Sequence, residues 1–272
     1  MNLKHLLVGA ILLAGFAVQS ATAQSRRTLS GLQLWPELQA ELALPDSESD
    51  YLLLAVRGQK NTDNNGYSDP ARFLGFDEQR VTLGYEHFWN ERWSIGGTLG
   101  YFSASKAYVL IPEVLLRHRS AIGPLTFGQR LSVERTFPSP TNAKGQTNVR
   151  LRADLEKIFP LASSVALRPR LSYEAATHFR LLKSDTDPDE RFIQFTSLRA
   201  EVGCRVGNNF DFTPWFAYQT NYLVTLPQYD ALGNQTSGGK LNLVTPVLGV
   251  DVRYTILQGQ DAAKHKQLPT QH

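Results

Sequence analysis

The chain has 272 residues and a formal net charge of +3, from 28 Lys and Arg against 25 Asp and Glu. The charges are scattered rather than clustered, which excludes the footprint of a nucleic-acid-binding protein, and the single cysteine, Cys204, excludes an intramolecular disulfide. No stretch after residue 24 approaches the ~20 apolar residues that a membrane-crossing helix needs.

At the N-terminus, Lys4 and His5 precede an apolar stretch from Leu6 to Val18, and Ala21-Thr22-Ala23 forms a small-x-small site. This is the layout of a cleaved secretory signal peptide. It predicts a signal peptide over 1–23, a mature domain over 24–257 and a polar C-terminal tail over 258–272. No cysteine follows the cleavage site, so no lipid attachment point is expected there.

Eleven strands then follow in chain order: 31–44, 50–58, 78–89, 92–103, 107–119, 123–137, 147–159, 164–178, 191–206, 209–225 and 240–257. Their mark is a period of two, because successive side chains of a strand point to opposite faces. Val81, Leu83 and Tyr85 alternate with Arg80, Thr82, Gly84 and Glu86. Val149, Leu151, Ala153 and Leu155 alternate with Arg150, Arg152, Asp154 and Glu156. Near the C-terminus Leu248, Val250, Val252, Tyr254 and Ile256 alternate with Gly249, Asp251, Arg253 and Thr255.

A soluble antiparallel sandwich also alternates, but three features point to a membrane. The strands run about nine to fifteen residues, against five or six in globular proteins and about 9–11 for a tilted membrane strand. The polar face is rich in Arg and carboxylates. Aromatic residues gather near strand ends: Trp89, Trp93, Phe159 and Phe210 at tight turns, and Tyr101, Phe102, Tyr108, Phe137 and Tyr222 nearer longer loops, as expected of two girdles around an apolar band. Connections alternate in length too, with short turns at 45–50, 90–92, 121–123, 161–163 and 207–209. Longer loops lie at 58–78, 138–146, 181–191 and 226–239. In such barrels short turns face the periplasm.

The expected fold is therefore all-β, an antiparallel up-and-down transmembrane β-barrel. Because bacterial single-chain barrels normally have an even strand number, the eleven strands are read as twelve, with ten as the fallback. The doubtful region is the N-terminal pair, where Trp35-Pro36 interrupts the first strand.

The alternation places an interior set of Arg80, Glu86, Arg130, Glu134, Arg150, Arg152, Asp154, Glu156, Arg168, Arg170, Glu174, Arg199, Glu201, Arg205, Asp251 and Arg253. Arg57, Arg117, Arg119, Glu37, Glu41, Glu113 and Asp211 join it. The signs nearly cancel. An anion channel calls for surplus Arg, whereas a balanced interior suggests Arg forks bonded to carboxylates across neighbouring strands. His118-x-Ser120 resembles the His-x-Ser pair of some outer-membrane lipid hydrolases, whose serine needs an adjacent base and an orienting third group. It abuts the tight turn at 121–123, hence the periplasmic rim, and no further motif of those enzymes accompanies it. His87 and His178 are read as rim residues with no metal-ligand spacing. Asp63, Asp69, Asp185, Asp187 and Asp189 are read as solvated loop residues, with weak calcium binding as the alternative.

Three segments carry a family likeness: Leu125 to Phe137 with Arg130, Glu134 and Arg135; Asn148 to Leu161 with Arg150-x-Arg152 and Pro160-Leu161; and Gln194 to Tyr218. With the early Leu34-Trp35 strand they resemble the bacterial family catalogued as domain of unknown function 2490, common in Bacteroidota. That resemblance implies an outer-membrane barrel and brings no activity, cofactor or site residue with it. The functional expectation is a porin-like, non-enzymatic protein of the Gram-negative outer membrane with a largely occluded, ion-paired lumen and no cofactor or metal. Its partners would be outer-membrane lipids and the barrel-assembly machinery, with no nucleic acid. The alternatives are a small diffusion channel for polar or acidic solutes and, more distantly, a lipid-modifying enzyme.

Overall fold

The computed structural model describes residues 26–44, 50–63, 73–104, 107–139, 144–179, 191–207, 209–233 and 235–257. The signal-peptide reading at 1–23, the tail at 258–272 and Asp69, Asp185, Asp187 and Asp189 lie outside them. Fourteen strand segments follow one another: β1 (Arg26–Leu29), β2 (Gln33–Ala43), β3 (Asp50–Asn61), β4 (Glu78–Phe88), β5 (Trp93–Ala104), β6 (Ala107–Ile122) and β7 (Leu125–Arg135). The rest are β8 (Phe137–Ser139), β9 (Thr147–Glu156), β10 (Phe159–Ala162), β11 (Val165–Phe179), β12 (Phe195–Val206), β13 (Phe210–Tyr229) and β14 (Gln235–Leu257).

Three of the segments are continuations rather than separate strands. β8 pairs with β6 in the register that β7 already holds, Glu113 opposite Glu134 and Leu110 opposite Phe137. β10 likewise extends β9 along β11. β1 and β2 both lie on β14, separated by a one-residue bulge: Leu29 to Gln33 spans four positions where Val244 to Val247 spans three. The result is a closed barrel of eleven staves.

Eleven corrects both the expectation of twelve and the fallback of ten. The even-number rule assumes antiparallel pairing at every seam, and here the last seam is parallel. β14 pairs with β2 from Val247–Gln33 to Leu257–Ala43, while every seam between consecutive staves is antiparallel. Pro36 does not break the first stave. It points outward opposite Val250 within that seam. The odd number also sends the first and last staves in one direction, so Arg26 and Leu257 lie at opposite ends of the barrel.

Local chemistry sets the turns. Gly123 (φ +58°) and Gly207 (φ +63°) take the left-handed conformation in the turns after β6 and β12, where a Cβ would be strained. Asn90 closes the turn between β4 and β5 by accepting from the backbone N–H of Arg92 (2.8 Å) and of Trp93 (3.0 Å). The short turns share one end, here the turn end. The wider connections share the other, the loop end.

Burial decides what surrounds the barrel. Glu41, Glu86, Asp251 and Arg253 are at most 2 % exposed, while Leu38 is 65 % and Val114 61 % exposed. A water-soluble barrel has the opposite polarity. An apolar outer belt around a polar interior belongs to a membrane-spanning barrel, where lipid covers the outside and the closed ladder leaves no strand edge unpaired. Trp89, Trp93, Phe159 and Phe210 at the turn end, and Tyr101, Tyr108 and Phe137 at the loop end, are exposed on it. Phe102 departs from the expected girdle, because its even position on β5 turns it into the lumen.

Candidate functional site

The lumen divides into two halves of different character. At the turn end it is filled. Tyr51 and Phe88 meet edge to face with ring centroids 5.7 Å apart, beside Ala43 and Leu257. On the adjoining staves Arg253 donates to Glu41 (3.1 Å) and Asp211 (3.0 Å), and Arg205 grips the same Asp211 through two bonds of 2.9 and 2.7 Å. Arg168 donates to Glu156 at 2.9 and 3.1 Å, and Arg117 lies 3.1 Å from Glu86. Cavities of about 10 Å³ beside Glu156, Arg168 and Asp211 and about 20 Å³ beside Arg117, Arg152 and Asp154 have space for no more than single waters.

Toward the loop end the lumen widens into a cup of about 810 Å³. Its wall carries Arg57, Arg80, Arg130, Arg150, Arg152 and Arg199 together with Glu37, Glu78, Glu113, Glu134 and Glu174. Most of these guanidiniums are occupied. Arg57 donates to Glu37 (2.5 Å), Arg130 to Glu113, and Arg150 bridges Glu134 and Glu174 at 2.9 Å each. Arg199 donates to Glu201 (2.7 Å) and Asp251 (2.7 Å), and Arg170 pairs with Glu201. These pairs join neighbouring or next-neighbouring staves, apart from Arg199–Glu201, which runs along β12; an inward face recurs every second residue and staves lie about 4.8 Å apart.

All the interior residues read from the sequence do face the lumen, but not all of them pair. Arg80, Arg152 and Asp154 stand outside the ion pairs among the described residues, so these three face the lumen without joining the expected ion-pair network. Arg152 is 5 % exposed, with Nε and Nη2 unpartnered, and Arg80 has an unpartnered Nε. The register explains part of this. Opposite Arg152 stand Arg130 on β7 and Glu174 on β11, and their charges are already taken up by Glu113 and Arg150.

Aromatic residues that sequence reading had not assigned complete the cup. Trp215 is 4 % exposed, stacks edge to face on Trp35 at 6.1 Å, and donates its indole N–H to Asp251 at 2.8 Å. Gly249 makes the space, since a Cβ there would come within 2.1 Å of the indole. The signal was present: Trp215 continues the inward odd positions of Asp211 and Thr213. His178 also lines the cup, 3.0 Å from the Gln194 amide. His87 instead pairs with Asp50 at 2.6 Å on the outer face. His118 and Ser120 point outward on β6, with the imidazole against the Trp93 ring at 4.4 Å.

No family model and no curated protein matches the chain. Among solved structures it is similar to LpxR from Salmonella typhimurium, with a TM-score of 0.40 and 9 % identity over 74 % of this chain and 83 % of that one. It is also similar to a NanC porin structure, with a TM-score of 0.37 and 12 % identity over 76 % of this chain and 94 % of that one.

Proposed function

We propose that the protein is a non-enzymatic barrel of the Gram-negative outer membrane with a structural role in the envelope, its lumen closed to free diffusion by its own side chains. The observation that carries this reading is the plug at the turn end, where Glu41, Arg253, Asp211 and Arg205 bond in series beside Tyr51 and Phe88. A path for ions needs hydrated room, and the cavities found among the described residues of this half hold about 10 and 20 Å³, space for single waters. The reading includes export by the N-terminal signal peptide, insertion by the barrel-assembly machinery, contact with outer-membrane lipids, and kinship with domain of unknown function 2490. Catalysis at His118 and Ser120 is not part of it, because both point to the lipid face with Trp93 packed on the imidazole.

Conductance in a planar bilayer tests the proposal. The purified protein is expected to give little steady current, and the combined Arg253→Ala and Arg205→Ala substitutions to raise it. A large, steady current from the unaltered protein would favour the second reading, a diffusion channel entered through the 810 Å³ cup.

A further inference from the structure

We infer that the cup is a binding site for a soluble, metabolite-sized oxyanion, held through its carboxylate or phosphate group by Arg152 with Arg80 as a second contact. This goes beyond the structural reading, since it concerns occupancy of the cup and not passage through the plug. Its volume of about 810 Å³ lies within the range of small-molecule sites.

The argument rests on which guanidiniums are already used. Of the six arginines in the cup wall, Arg57, Arg130, Arg150 and Arg199 each bond a carboxylate. Arg152 and Arg80 do not among the described residues, although both side chains line the cavity and each also holds at least one buried nitrogen without a hydrogen-bond partner. The missing carboxylate is what sets them apart, since Arg130 has such a nitrogen too but pairs with Glu113. A buried guanidinium without a partner is costly, and elsewhere in this lumen the chain supplies one. The planar fork of donors suits carboxylate and phosphate oxygens. Arg80 lies against Gly100, where a Cβ would come within 3.3 Å of its Nη2, so the glycine leaves room for the guanidinium. Trp35 and Phe195, both partly exposed, give the same cup apolar surfaces for the body of the ligand. The bound group comes from solution rather than from a lipid, because the cup-lining side chains face inward and a continuous hydrogen-bonded wall separates them from the bilayer.

Equilibrium dialysis of the full barrel in zwitterionic micelles tests this, with radiolabelled inorganic phosphate as probe, citrate as competitor and chloride at matched ionic strength as background. The expected result is saturable phosphate binding that citrate displaces. Arg152→Gln should weaken it at least tenfold and Arg80→Gln less, while Arg135→Gln, on the outer face, should leave it unchanged. Absence of saturable binding to the unaltered protein overturns the inference whatever the variants do. Equal binding by a folded Arg152→Gln protein overturns the assignment, as does displacement by detergent-solubilised anionic phospholipid but not by citrate.

Discussion

The guanidinium of Arg199 lies 4.0 Å from the centroid of the Trp215 ring, and the two side chains donate to different oxygens of one carboxylate, Asp251. This arrangement joins β12, β13 and β14 beneath the cup. A cation over an indole face and a doubly bonded carboxylate reinforce each other where water is excluded. Gly249→Ala should displace the indole and break the set. The expected outcome is a lower melting temperature in detergent together with a weakened near-ultraviolet tryptophan circular dichroism signal. Retention of both signals at native strength would contradict the assignment.

Arginines of the plug and of the cup should behave differently when removed. Arg253→Ala leaves Glu41 and Asp211 without the cation they share, and breaking a buried pair in this way costs about 3–5 kcal/mol. Arg152→Ala strands no carboxylate, so its effect should be within about 1 kcal/mol of zero. Urea unfolding in micelles reads both. The opposite ranking would show that Arg152 holds the wall together.

The outward and inward faces can be read with spin labels. Labels at Val202 and Val250 should report lipid, and labels at Arg199 and Arg253 a shielded, polar lumen. Placing an arginine at position 250 should cost up to ~2–4 kcal/mol near the bilayer midplane and less toward an interface. Water exposure at 202 and 250 with lipid exposure at 199 and 253 would invert the register.

An odd number of staves makes a topological prediction. Thr28, on the segment that extends the first stave, lies at the loop end, and Leu257, on the last, at the turn end. With Cys204→Ser as background, Thr28→Cys and Leu257→Cys should differ in intact cells: a membrane-impermeant maleimide labels the first and spares the second. Equal labelling would mean that the closing seam is not parallel.

Fractionation checks the compartment. The mature chain should be recovered with the outer membrane and migrate faster on gels before boiling than after it. Recovery in the soluble periplasm without detergent would remove the membrane reading.

The fold was largely legible because it depends on a local rule. Alternation along each strand assigns a face to every residue, and the strands read at 78–89, 92–103 and 164–178 fall within a few residues of β4, β5 and β11. The same rule turned Arg253, Glu86 and Arg199 inward without any knowledge of their partners. Phe102 was misplaced only where proximity to a strand end was weighed above its even position.

Closure and pairing were not legible in this way. Residue order alone specifies two-faced strands and a nearly neutral inner face, because both follow from alternation within single strands, whereas the even-number rule led from eleven segments to an expectation of twelve. That β14 lies parallel to β2 was decided only by the tertiary structure, since the direction of a seam depends on where the two ends of the sheet meet. So was the split between plug and cup. Which carboxylate reaches which guanidinium depends on the stagger between staves, and that stagger gives Arg253 two carboxylate partners and Arg152 none among the described residues.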